Sequence, residues 1–159
     1  MSNKRDLRAF MRESAKTEEI ITVPGPDTIL GDDGKPIMLE IKALHGETVR
    51  KIHENYRTKT VAMDGKGNPY INNGKVVFRE EFDVDAASQH VIVEALVYPD
   101  LKDKELMAFF NCHDITEMPR KVFPSNREFR HIDNAVAVAL GLKDPTPEEK
   151  EKTLEEVKN

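Results

Sequence analysis

One apolar segment, Val84 to Tyr98, limits what this chain can fold into more than any other feature. Val84, Ala87, Val91, Ala95 and Tyr98 recur at three- and four-residue spacing, and Ile92 and Leu96 widen the same face. A helix with so broad an apolar face must be covered on most sides. It is expected to be the central buried helix, ended by Pro99, which cannot continue the hydrogen-bond ladder. The chain has no tryptophan, 7 phenylalanines and 3 tyrosines, so the core around that helix must lean on Leu, Ile, Val and Met.

Upstream, residues 4 to 14 can form a short helix with Leu7, Phe10 and Met11 on one side, too short to persist without a partner surface. The β-branched stretch from Glu18 to Val23 reads as a strand stopped by Pro24-Gly25-Pro26. Turn chemistry at Gly31-Asp32-Asp33-Gly34 precedes Ile37, Leu39 and Ile41, which alternate with Met38 and Glu40 at the period of a half-buried strand. The two strands are expected to pair antiparallel across a wide loop. Glu47 to Tyr56 reads as a helix with Val49, Ile52 and Tyr56 on one face. The Gly/Asn/Asp-rich run from Asp64 to Gly74 reads as a mobile loop or an irregular hairpin.

The second half reads as helices. Asp103 can cap a short helix through Phe110, and capping boxes start at Asp114, Ser125 and Thr146. The helix after Ser125 places Phe129, Ile132, Val136 and Leu140 on one face and stops at Gly141. Beyond it only Leu154 and Val157 are large and apolar, as in a loosely docked helix or a solvated tail. The fold class that follows is α+β, mainly α. A small N-terminal antiparallel β element (1–44) precedes a mainly helical part (45–143) in one domain (1–143), with a charged extension at 144–159.

Composition narrows the function. The chain has 159 residues, 38% hydrophobic and 33% charged, which suits a folded soluble domain. A net charge of −5, with signs mixed along the chain and no basic stripe interleaved with aromatics, argues against nucleic acid as a partner. No apolar run approaches the length that crosses a bilayer, so no membrane partner is expected. The lone Cys112 can form neither an internal disulfide nor a cysteine zinc site, which fits a reducing compartment, the cytoplasm.

No constellation of residues points to catalysis, a metal or a cofactor. Cys112, His113 and Asp114 are consecutive, and neighbours in sequence point in different directions, so they cannot line up as nucleophile, base and orienter. None of the five histidines has a second histidine three or four residues away on one expected helix. Gly65-Lys66-Gly67 and Asn73-Gly74-Lys75 miss the spacing of a phosphate loop, and the acidic turn at Asp32-Asp33 lacks the ligands of a calcium loop. Glu80, Glu81, Asp83 and Asp85 sit where acids favourably meet the start of the central helix; an acidic patch for a basic partner is the alternative. An enzyme site would have to be assembled from scattered residues, such as His90 with Glu81 or Asp85.

A better candidate is apolar. Met107, Phe109, Phe110, Met118, Val122 and Phe123 crowd a short, broken region. They can build a core from short helices, or leave a groove partly open for an amphipathic helix of a partner protein.

The order of these features resembles the XkdN-like phage tail assembly chaperones. The resemblance runs over about residues 5 to 142. It begins with Leu7-Arg8-Ala9-Phe10-Met11, continues through Pro36 and the strand to Leu44, then Val49-Arg50-Lys51, and is strongest from Val93 through Tyr98-Pro99-Asp100-Leu101 to Leu106. Val122-Phe123-Pro124 and the closing Gly141 also match. The stretch from Met63 to Val77 is longer and more polar than the family pattern, and the charged C-terminal extension departs from it too. The resemblance implies a non-catalytic protein without cofactors that binds the tape measure protein and keeps it soluble. It further implies recruitment of the tail tube protein, with self-association as a further contact, and absence from the finished virion. A structural tail or head-completion protein retained in the particle is the alternative.

Overall fold

The structure, a computed structural model, describes residues 5–13 and 17–147. After a single 3-10 turn at Arg8–Phe10 come β1 (Ile20–Pro24), β2 (Met38–Lys42), α1 (Gly46–Glu54), β3 (Arg57–Val61), β4 (Ile71–Asn72), β5 (Lys75–Val76) and β6 (Phe78–Phe82). Then follow α2 (Val84–Ala95), β7 (Leu96–Tyr98), α3 (Lys104–Phe109), a 3-10 turn at Ile115–Glu117, α4 (Met118–Val122) and α5 (Asn126–Ala139).

The alternation in the second strand is realised as expected. Leu39 and Ile41 of β2 are buried while Met38 and Glu40 face out. β1 pairs with β2 antiparallel, from Ile20 opposite Lys42 to Pro24 opposite Met38. The wide loop between them closes on Gly34 (φ +78°), and the Asp33 carboxylate accepts the Lys35 amide at 3.0 Å. Gly25 is fixed by close packing, since a Cβ there would lie 2.6 Å from the Ile37 carbonyl oxygen.

The central helix is α2, with Ala87, Gln89, Val91, Ile92, Val93 and Ala95 all buried. Around it pack Leu39 and Ile41 of β2, Ile52 of α1, Met118 of α4, Phe123, and Ile132 and Val136 of α5. Asp83 caps α2 by accepting the Ala86 amide at 3.0 Å. The C-terminus of α5 closes with Gly141 at φ +74°: the Leu142 amide donates to Ala137 and the Gly141 amide to Val138. These two bonds satisfy carbonyls that the helix end would otherwise leave unpaired.

The fold is not mainly α with one N-terminal β element. Of the described residues 39% are helical and 22% are in strands, with seven strands in three small antiparallel sheets spread across them. The part expected to be mainly helical, 45–143, carries five of those strands. One, β7, comes from the end of the supposed long helix. α2 stops at Ala95, and Leu96–Tyr98 extends to pair antiparallel with β2. The residue before a proline avoids the α region, and a Leu-Val-Tyr run is as apt for a strand as for a helix end, so Pro99 acts several residues upstream.

The other four strands form an arm. β3 and β6 pair from Arg57 opposite Phe82 to Val61 opposite Phe78. Past them, the Ala62 amide donates to Val77 (2.9 Å) and the Tyr70 amide to Ala62 (2.7 Å), so the ladder continues into the β4–β5 hairpin. That hairpin turns on Asn73 (φ +50°) and Gly74 (φ +75°), the positive-φ pair of a tight two-residue turn. The arm extends away from the body, and no residue between Arg57 and Glu81 joins the buried core.

The N-terminal helix is also not formed as expected. The described residues there hold one 3-10 turn, with Leu7, Phe10 and Met11 exposed, because no neighbouring surface covers them. Lys4 and Ser14, and the C-terminal segment from residue 148, with Leu154 and Val157, lie outside the described residues.

Candidate partner-binding surface

The short-helix region is organised by its caps. Asp103 accepts the Leu106 amide at 3.0 Å and starts α3. Asn111, at φ +47°, ends it; the Cys112 amide donates to Met107 and the Asn111 amide to Ala108, both at 3.0 Å. Asparagine tolerates the left-handed conformation this closure needs. The turn sends Cys112 inward and leaves Phe109 outward.

The six apolar residues singled out in this region therefore divide. Met118 and Phe123 are buried in the core. Met107, Phe110 and Val122 are half-buried and pack against it. Phe109 is 80% exposed and meets the Phe110 ring edge-on, at 4.9 Å between centroids and 87° between planes. The α3 end thus presents a large aromatic ring supported by a second one. Exposure on this scale costs solvation and is informative for so large an apolar side chain.

The arm holds a second apolar surface that the sequence reading did not single out. Residues directly opposite each other in an antiparallel ladder share a face, so Val61 stands beside Phe78 and Ile71 beside Val76. All four are exposed, as is Met63. The Asn73-Gly74 turn, with Ile71 before it and Val76 after it, was the available signal. The arm's root is fixed: Arg57 lies 4.3 Å over the Phe82 ring, and the Asp83 amide donates to the Tyr56 carbonyl at 3.1 Å.

The residues considered for chemistry are dispersed. The Cys112 thiol donates to the Asp114 carbonyl at 3.1 Å and is buried, while His113 is exposed. The Asp114 carboxylate accepts the Thr116 hydroxyl (2.7 Å) and amide (2.9 Å), and these bonds lower its pKa. His90 does not meet Glu81 or Asp85. Its ring neighbours are the Tyr56 hydroxyl, 2.6 Å from Nδ1, and Glu94, 3.4 Å from Nε2. Burial, then the charges of Asp114 and Asp83, raise the pKa of Tyr56. Among the described residues no group of three or more His, Cys, Asp or Glu is placed to hold a metal ion, and no helix is long and apolar enough to cross a membrane. In the acidic cluster, Glu80 lies 3.8 Å from Arg57, Glu81 3.9 Å from Arg79 and Asp85 3.5 Å from Arg120.

The crystal structure of the protein YqbN is similar to this chain with a TM-score of 0.64 at 19% identity, over 87% of this chain and 98% of that one, a likeness of fold. No curated protein matches the chain. The family described as phage XkdN-like tail assembly chaperone protein matches residues 7–158. With nearly its whole length matched, the chain belongs to the phage XkdN-like tail assembly chaperones.

Proposed function

We propose that this protein binds the tape measure protein of its phage, keeps it soluble while the tail tube assembles, and does so without catalysis. Membership of the tail assembly chaperone family over residues 7–158 carries the reading. The surface chemistry supports it. A long helical protein that exposes apolar stripes until a tube encloses it needs a partner with exposed apolar side chains on a charged, well-solvated body. Phe109, backed by Phe110, Met107 and Val122, supplies one such contact, and the Val61–Phe78 and Ile71–Val76 pairs of the arm supply another. Met118 and Phe123 act from beneath, holding α3 and α4 in place. In this reading the protein works in the host cytoplasm, brings tail tube subunits to the complex and leaves before the particle is complete.

The test is co-expression of the tagged chain with the tape measure protein encoded by the same phage. The expected result is a complex that co-purifies and raises the soluble yield of the tape measure protein. No complex and no gain in yield, together with this chain found in purified particles, would replace the proposal with a retained structural component.

A further inference from the structure

The sheet of β1, β2 and β7 has β1 at one edge, and among the described residues no strand pairs with its outer side. The register decides which groups that edge presents. The Ala43 amide donates to the Glu19 carbonyl at 2.7 Å, and the Gly25 amide donates to the Ile37 carbonyl at 2.8 Å. Both pairs continue the register that sets Ile21 opposite Ile41 and Val23 opposite Leu39. Bonded and non-bonded pairs alternate in an antiparallel ladder, so the odd-numbered residues of β1 bond to β2. The amides and carbonyls of Ile20 and Thr22 therefore point outward. Pro24 closes this row: it has no N–H, and its carbonyl oxygen accepts from Nε2 of His131 at 2.9 Å.

The other edges differ. β3 carries Arg57 and Lys59, and β6 carries Arg79, Glu80 and Glu81, charges of the kind that keep exposed edges apart. β4, β5 and β7 are only two or three residues long. From Ile20 to Val23, β1 is uncharged and β-branched throughout, and Ile20 and Thr22 are exposed. An edge without protection is a template for another strand. This edge is also complementary to itself. Two copies laid antiparallel about a two-fold axis at Ile21 put Ile20 of each opposite Thr22 of the other. Each pair exchanges two backbone bonds, so four bonds use all the outward amides and carbonyls of Ile20 and Thr22. The ladder ends where Pro24 has no donor to offer. Glu19 falls opposite Val23, so no like charges meet across the pair. We infer that β1 is a self-association edge, through which two copies of this chain join their three-stranded sheets into one continuous sheet. Four bonds along a short strand make a weak dimer, governed by concentration. The inference rests on the geometry of β1 and not on which tail protein the chaperone binds.

The test uses the full chain alone. Sedimentation velocity over a range of about 10 µM to 1 mM is expected to show a monomer giving way to a dimer. Amide hydrogen exchange at the two ends of that range locates the contact. Ile20 and Thr22 should exchange severalfold more slowly in the concentrated sample, while Ile21 and Val23, already bonded to β2, should change little. Thr22→Pro removes an outward donor and no bond to β2. It should weaken the dimer about tenfold or more, since each dimer loses two donors. Should that variant fold poorly, Ile20→Lys charges the exposed edge, is expected to act in the same direction and serves alone. A dimer in which Ile20 and Thr22 exchange as fast as in the monomer, or a dimer unchanged by whichever variants fold, would overturn the assignment. So would a monomer throughout, which would leave the edge to a strand of a different protein.

Discussion

The Tyr56 hydroxyl lies 2.6 Å from Nδ1 of His90, and through this bond the end of α1, where the arm begins, is tied to the central helix. In the Nε2–H tautomer of His90 the tyrosine donates to Nδ1 while Nε2–H faces Glu94, so both ring nitrogens are used without a buried charge.

Tyr56→Phe should cost about 1 kcal/mol at neutral pH in urea unfolding, the usual value of one lost hydrogen bond. The pH dependence has a definite sign. The folded protein raises the Tyr56 pKa from its ordinary 10.0, chiefly by burial. The folded state therefore holds that proton more tightly than the unfolded one. Its contribution is fully present below the unfolded pKa and is lost as pH rises through the folded value. The stability difference between wild type and Tyr56→Phe should stay level up to about pH 10 and shrink above it; a difference that grows there would contradict the assignment.

Asp114 behaves in the opposite direction. The Thr116 hydroxyl, then the Thr116 amide, hold its carboxyl below the ordinary 3.8. Its contribution is present above the unfolded pKa and is lost as pH falls through the folded one. Thr116→Val removes the hydroxyl bond, so the Asp114 carboxyl resonance should titrate at a higher pH than in wild type.

Burial separates two kinds of apolar residue in the candidate surface. Met118→Ala should lose about 2–5 kcal/mol and Phe123→Ala about 3–5 kcal/mol, because each leaves a cavity in the core. Phe109→Ala should change stability by less than about 0.5 kcal/mol. If the proposed contact is correct, Phe109→Ala nevertheless lowers recovery of the tape measure protein in co-purification. Calorimetry and pull-down on the same variants check both halves.

Gly141→Ala tests the end of α5. A Cβ there meets nothing within 4 Å, so any loss comes from the backbone at φ +74°. A loss of about 1 kcal/mol is expected in urea unfolding, the scale of the left-handed conformation for a residue with a Cβ. No loss would mean that the helix end relaxes without its closing turn.

These effects show where the sequence was legible. Leu39 and Ile41 announced β2 because one face is buried and the other wet. Asp103 and Ser125 announced α3 and α5 because capping is local chemistry. The tip of the arm was legible, since an irregular hairpin was one of the two readings of Asp64 to Gly74, but the ladder below it was not: Arg57–Val61 and Phe78–Phe82 are exposed along nearly their whole length, so burial imposes no alternation on their residues. Leu96–Tyr98 continued the helical pattern and became a strand only because β2 offers an edge. In the candidate surface, composition showed a crowd of apolar residues but not its division. Phe109 and Phe110 are adjacent in sequence, and only the geometry of α3 decides which one faces water.

Excision of Met63–Val76, with Ala62 and Val77 joined by Asn-Gly, should leave the cooperative unfolding of the body intact, since none of the removed residues belongs to the core. Circular dichroism melts of the full and shortened chains should differ by a few degrees at most. A collapse of the transition would show that the arm supports the body.

The root of the arm has a wider consequence. The chain leaves the body after Tyr56 and returns at Asp83, and one backbone bond of 3.1 Å joins these two points. To the packed interior, the excursion between them is a closed parenthesis, since closing a longer loop costs only slowly more entropy. Its length and side chains can therefore change without renegotiating anything in the body. The point between Tyr56 and Asp83 is a natural socket, where a different hairpin can be installed on the same scaffold.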